Sequence, residues 1–271
     1  DKMPFSELPR LDDIRKKRPL LHCISNIVTA NDCANLALAL GASPMMAEAP
    51  EEMADIARIA SAAVLNCGTP SEQKYSACLA SGRESARLGK PVVLDPVGVG
   101  ASPWRLRSVR RLLESFTPSI LRVNYAEARA LLGSAGVEQG VDSPAAPGLP
   151  ERAETAKALA AALGCAVLLS GAEDVVTDGA RGWYVQGGSE LMPLVTGTGC
   201  MLSVVCGAFA SVEPDAVLAA AMASVFWKTC SEQAGRAPGV NGPGAFRSAL
   251  MDTAWRLGAH APGYAGRAFP I

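Results

Sequence analysis

Short runs of consecutive apolar residues recur through the first two thirds of the chain, and each is followed by a longer stretch with helical spacing. A strand buried on both faces reads as an unbroken apolar run, and a crossover helix brings the chain back to pair the next strand in parallel. This alternation predicts an α/β fold, a central mostly parallel sheet with helices on both faces. Strands are expected at 19–24, 43–47, 62–67, 91–95, 119–123 and 165–170, and helices at 27–40, 50–60, 71–88, 103–115, 125–132 and 151–163. Gly41 suits a left-handed helix stop, Ser71 an N-cap and Gly89 the end of the helix that Ser71 opens. Hairpins are expected near 175–177 and 183–186, and the end of the chain is helical at 200–212, 215–234 and 245–259. Residues 133–150, rich in Gly, Pro, Ser and Asp, read as a long surface loop that need not divide domains. With no internal repeat or low-complexity tract, residues 1–271 are expected to form one doubly wound domain, with ligands beyond the carboxyl ends of the strands.

Composition narrows the function classes. Apolar residues at 49% and charged residues at 19% describe a chain that can bury a core, and 5% aromatics implies helices packed through Ala and Gly. The net charge of −1, without long basic runs, excludes the footprint of a nucleic-acid binder. Arg107, Arg110, Arg111 and the basic stretch 15–18 read as solvated helix faces. The eight cysteines are scattered without a Cys-x-x-Cys pair, and only His22 and His260 could join them as zinc ligands. Reduced core thiols in a cytoplasmic protein are therefore expected. The charged stretch 7–18 is unlike a signal peptide, and the uncharged run 191–212 is broken by Pro193, Gly197, Gly199 and Gly207, so no membrane span is expected.

The sharpest local signal is Val195-Thr196-Gly197-Thr198-Gly199-Cys200, followed at once by an apolar helical run. Glycines let the backbone approach an anion, and the first amides of a helix point outward without intrahelical partners, so this turn can hold a phosphate. At such a position Cys200 is expected to have a lowered pKa and could act as a base; it also reads as a small buried hydrophobe. Asp95 closes a buried strand before Pro96-Val97-Gly98, either as a functional carboxylate or as a loop cap. In Arg122-Val123-Asn124-Tyr125-Ala126-Glu127 a cation, an amide and a carboxylate meet at a strand end, a set suited to a triphosphate with hydrated magnesium. Asn124 and Glu127 equally form a capping-box pair. The stretches 170–179 and 241–246 read as turns, and Met45 and Met46 more readily as core than as ligand wall.

In this order, the segments 19–26, 41–46, 92–100, 124–127, 176–179, 195–201 and 242–246 resemble the hydroxyethylthiazole kinase family of thiamine biosynthesis, a branch of the ribokinase-like superfamily. The resemblance covers roughly residues 18–250. It implies a ribokinase-like fold and transfer of the γ-phosphate of ATP, with Mg2+, to the primary hydroxyl of 4-methyl-5-(2-hydroxyethyl)thiazole. It implies that Cys200 stands where most ribokinase-like kinases carry an Asp base, that Gly197, Thr198, Gly199 and Cys200 form an anion hole, and that Met46 and Gly197 meet the thiazole. Arg122, Ser170 and Asn124 would contact ATP, and Asp95 and Glu127 would organise magnesium through its waters. The family is typically trimeric, with active sites at subunit boundaries. Val123 and Tyr125 stand where the family usually has smaller residues, and Ser170 replaces a commoner Thr. Rival readings are a kinase for hydroxymethylpyrimidine or pyridoxal, a noncatalytic metabolite-binding relative, and an acyl transferase using Cys200 as nucleophile.

Overall fold

The computed structural model describes residues 4–133 and 147–271. After α1 (Arg10–Lys17) the chain enters the expected alternation: β1 (Leu20–Ile24), α2 (Ala30–Leu40), β2 (Ser43–Met46), α3 (Met53–Ile59), β3 (Ala62–Asn66), α4 (Glu72–Arg87), β4 (Val92–Asp95), α5 (Pro103–Ser115), β5 (Ile120–Val123), α6 (Tyr125–Leu132), α7 (Leu149–Leu163) and β6 (Ala166–Leu169). Then come β7 (Asp174–Thr177), β8 (Gly182–Val185), α8 (Thr198–Ala210), α9 (Ala216–Gly235), α10 (Pro243–Arg256) and β9 (Ala268–Pro270). The strands form one nine-stranded sheet in the order β2-β1-β3-β4-β5-β6-β7-β8-β9. Pairing is parallel from β2 to β6 and antiparallel from β6 to β9.

Alternate residues along the central strands enter opposite cores. Val64, Val93 and Ile120 pack beneath α2, α8, α9 and α10, while Leu65, Leu94 and Leu121 pack against α3, α4, α5 and α7. Burial on both faces is why these strands read as continuous apolar runs. On the first face α8 lies so close to β3 that a Cβ on Gly207 would come within 2.5 Å of Val64 Cγ2. All eight cysteines are buried and free. Among the described residues no helix is long and apolar enough to cross a membrane.

Several boundaries differ from expectation for local reasons. Helix α2 begins at Ala30 rather than 27, because the Asn26 carboxamide oxygen takes the N–H groups of Val28 and Thr29 (3.0 Å each) and turns the chain first. That turn leaves Ile27 84% exposed. Residues 50–60 divide into a 3-10 turn (Pro50–Glu52) and α3. Helix α8 starts at Thr198, and Leu149 and Pro150 are already the first turn of α7, while residues 134–146 of the expected loop lie outside the described residues. The basic stretch 15–18 is not wholly a solvated face: the Arg15 guanidinium donates to the carbonyls of Ala254, Trp255 and Leu257, closing the end of α10.

Candidate active site

Parallel register aligns the carboxyl ends of β3 and β4, so that Asn66 and Asp95 are neighbours, and β5 brings Arg122 alongside. The start of α8 descends onto this row. Its first three amides, of Thr198, Gly199 and Cys200, have no carbonyl to bond within the helix, and the ladder opens with Met201 N–H donating to Gly197 O at 2.8 Å. Among the described residues no side chain caps this end. Gly197 holds φ at 86°, and a Cβ there would lie 2.2 Å from Thr29 Cγ2, so the turn needs glycine for conformation and space.

Arg122 is the hub beneath the turn. Nη2 donates to Asp95 Oδ1 (2.6 Å), Nε to Ser203 Oγ (3.2 Å) and Nη1 to Ser170 Oγ (3.0 Å), while Ser203 Oγ donates to Asp95 Oδ2 (2.7 Å). Burial works against the guanidinium charge, but the Asp95 and Glu127 carboxylates outweigh it and raise the pKa of Arg122. A Cβ on Gly199 would sit 3.0 Å from Arg122 Nη1, so the cation lies directly against the helix start. A fixed positive group beside unpaired amides is what a transferring phosphoryl group requires.

Cys200 is buried at this junction, 9% exposed, with Asn26 Nδ2 3.5 Å from its Sγ. Asn26 Nδ2 also donates to Asn66 Oδ1 (3.1 Å), and Asn66 Nδ2 approaches Asp95 Oδ2 (3.5 Å), so a polar chain runs from thiol to carboxylate. The expectation of a lowered Cys200 pKa is overturned. Burial and the Asp95 charge raise it, against the opposing pull of Arg122, Asn66 and Thr29. The helix terminus does not win where water is excluded and a carboxylate faces the sulfur.

Asn124 and Glu127 form the capping box: Asn124 Oδ1 accepts from Glu127 N–H (2.8 Å) and Glu127 Oε1 from Asn124 N–H (2.9 Å). Glu127 Oε2 takes the N–H of Gly98 (2.9 Å), tying the loop after β4 to α6. Burial raises the Glu127 pKa, with Arg122 opposing. The structure brings Asp95, Arg122, Ser170, Cys200 and the α8 turn together, with Glu127 close enough to act on Arg122. Asn124 is exposed at the rim, and Met46 stands apart on the edge strand β2. Ser43 and Ala47 N–H groups bond to Pro19 and Cys23 carbonyls of the β1 segment. By alternation the Met46 N–H and C=O face the open edge, as does Pro44, which has no N–H to waste there. Val123 points into the core, and Tyr125 reaches Glu151 of α7 (3.0 Å).

A cavity of about 660 Å³ opens beside the turn, lined by Ser170, Gly171, Gly188, Thr198, Trp227 and Lys228. Trp227 Nε1 donates to Thr198 O (3.1 Å), and Lys228 Nζ to the carbonyls of Gly171 (2.7 Å) and Ala172 (2.9 Å). Lys74 Nζ knits the loops after β1 and β3 through the carbonyls of Ser25 (2.6 Å) and Gly68 (2.9 Å). Sequence reasoning missed Asn26, Asn66, Ser203, Lys74 and Trp227. A polar residue ending an apolar strand, as Asn66 does, or interrupting an apolar helix, as Ser203 does, is the signal that was there to find.

The described residues contain no group of three His, Cys, Asp or Glu side chains placed to hold a metal ion. Both Asp95 oxygens are engaged by Arg122, Ser203 and Asn66, and both Glu127 oxygens by backbone N–H groups. These carboxylates do not fit a direct magnesium cage; their remaining lone pairs fit the waters of an ion carried on nucleotide phosphates.

Residues 11–260 match the model of the hydroxyethylthiazole kinase family. The chain is 43% identical over 247 residues to a hydroxyethylthiazole kinase of Methanocella arvoryzae, covering 91% of each. It is 42% identical over 244 residues to one of Thermoanaerobacter pseudethanolicus, covering 90% of this chain and 92% of the relative. The solved structure of a hydroxyethylthiazole kinase protein from Pyrococcus horikoshii superposes with a TM-score of 0.87 at 35% identity, covering 97% of both chains. A pyridoxal kinase of Staphylococcus aureus in complex with ADP shares the fold alone, with a TM-score of 0.61 at 13% identity over 79% of this chain and 87% of that one.

Proposed function

The chain belongs to the hydroxyethylthiazole kinase family, and from that membership we propose how its residues phosphorylate the primary hydroxyl of 4-methyl-5-(2-hydroxyethyl)thiazole, yielding thiazole phosphate for thiamine assembly. ATP is the donor. The observation that carries the reading is the start of α8, uncapped by any side chain among the described residues and with its first three amides lacking an intrahelical partner, above the Arg122 guanidinium and beside the Cys200 thiol.

The nucleotide occupies the cavity beside Ser170 and Thr198, and its terminal phosphoryl group lies at the amides of Thr198, Gly199 and Cys200. The alcohol oxygen attacks phosphorus, the bond from phosphorus to the β-phosphate oxygen breaks, and Cys200 Sγ takes the hydroxyl proton as ADP leaves. Arg122, kept charged by Asp95, meets the charge on the equatorial oxygens. Alignment and charge supply most of the acceleration in phosphoryl transfer, so a base present as thiolate only in part suffices. Magnesium, when bound, neutralises phosphate charge, and Asp95 and Glu127 would hold it through its waters.

The open edge at Met46 receives the thiazole by its backbone, and a second subunit closes over it in a trimer. Support comes from apolar side chains exposed on the segments that follow β1 and on β2 and α3: Ile27 84%, Val28 59%, Met46 40% and Ile59 61%. The chain works as one domain over 1–271, in the cytoplasm, where eight unpaired thiols stay reduced. A coupled assay of ADP release tests substrate and activity together. The thiazole alcohol should give rapid release, with hydroxymethylpyrimidine and pyridoxal far slower. Faster turnover of either rival would replace the substrate, and thermal stabilisation by the thiazole alcohol without ADP would mark a binding protein.

A further inference from the structure

Thr29 occupies the N-cap position of α2, where a hydroxyl ordinarily accepts a backbone N–H, yet its side chain makes no cap bond. Asn26 does that work instead, its carboxamide oxygen taking the N–H groups of Val28 and Thr29. Thr29 is 3% exposed, and its Oγ1 has no hydrogen-bond partner among the described residues. A buried hydroxyl left unpaired is unfavourable, and such groups are rare enough in folded proteins that each calls for an explanation.

Its surroundings supply one. The side chain packs on Gly197, the residue that opens the α8 turn, with Cβ of Thr29 3.0 Å from where a Gly197 Cβ would lie. Asn26, bonded to the Thr29 N–H, reaches Cys200 Sγ with its amide nitrogen. Thr29 thus borders the turn that carries Cys200, and its hydroxyl favours the thiolate of both Cys200 and Cys33. The charged and titratable groups facing Cys200 are Asp95 at the end of β4, Arg122 of β5 and Cys33, with Asn26 and Asn66 completing its polar neighbours.

We propose that the Thr29 hydroxyl is a positioning group for Cys200, held in reserve at rest and donating its hydrogen to the sulfur once the thiol has lost its proton. The inference rests on Cys200 as the base. A methyl-for-hydroxyl exchange, Thr29→Val, keeps the packing on Gly197 and removes the donor, whereas Thr29→Ser keeps the donor.

Two readouts test it: kcat and KM for the thiazole alcohol, and the rate at which iodoacetamide alkylates Cys200 at one mildly alkaline pH, followed by mass spectrometry of its peptide. Thr29→Val should lower kcat about tenfold, the order lost with one hydrogen bond to a charged group. KM should hold, alkylation should slow, and Thr29→Ser should restore both rates. If Thr29→Val folds poorly by its melting curve, Thr29→Ala compared with Thr29→Ser carries the same contrast. Unchanged alkylation would overturn the proposal, as would a higher KM with kcat intact, which would place the hydroxyl on the substrate. Slowed alkylation with unchanged kcat would keep the contact and reject Cys200 as the base.

Discussion

At Cys200 the helix terminus favours a thiolate, while burial and the Asp95 carboxylate favour the thiol and prevail. A base must be deprotonated to act, so kcat/KM, which reports the free enzyme, should rise with pH through the alkaline range above the ordinary cysteine value of about 8.5. Cys200→Asp should flatten that limb, because its carboxylate is ionised throughout. Cys200→Ser should lower kcat roughly a hundredfold, within the range for loss of a general base, with substrate KM little changed. Full turnover by the serine variant would remove Cys200 from the mechanism. Asp95 has a separate duty. It is fully buried against Arg122, and Asp95→Ala leaves a guanidinium in the core without its counter-charge. Such a loss costs about 3–5 kcal/mol, so the urea midpoint should fall markedly, and an unchanged midpoint would mean that water reaches the pair.

Elements reach the site through side chains that tie one to the next, and His22 is the clearest case. From β1 its Nε2 bonds to Ala47 O (2.8 Å) just past β2, and its Nδ1 meets Ser81 Oγ of α4 (3.2 Å), so it fixes the edge strand that carries Met46. Burial lowers its pKa. The unfolded chain therefore binds a proton near its ordinary value of about 6.5 before the folded one does, and stability complete above that pH declines as pH falls, by up to about 1.4 kcal/mol per unit. His22→Gln should be less stable at neutral pH yet lose less on acidification, as read by denaturant midpoints between neutral and mildly acidic pH. Parallel slopes for the two proteins would refute the assignment. The same contrast explains what the sequence disclosed. Helices α5 and α6 began where expected because their caps, Ser102 and Asn124, lie in the adjoining residue. The start of α2 was misplaced because Asn26 caps from a preceding turn, and Arg15 looked solvated because its acceptors lie some 240 residues away. Apolar runs announce strands, but no local pattern records that Asn26, Asn66 and Asp95 converge on one thiol, nor that burial would raise its pKa.

For the whole molecule the question is what covers the edge of the sheet. Strand β2 ends the sheet with Met46 facing outward, and an uncovered edge invites pairing or needs a partner. Ile27 and Val28 project from the turn set by Asn26, the residue that touches Cys200, so any subunit seated on them also borders the active site. Burying such side chains contributes about 1.5–3 kcal/mol each, whereas a carboxylate forced into the same contact opposes association. Ile27→Asp leaves the fold of an exposed position intact and should convert the proposed trimer into single chains by sedimentation velocity, with circular dichroism unchanged. Activity should fall with association and recover at high protein concentration, because mass action restores the closed site. A wild-type chain that sediments as a monomer while turning over the thiazole alcohol at full rate would show that one subunit completes the site alone, with Met46 receiving its substrate from an edge that stays open.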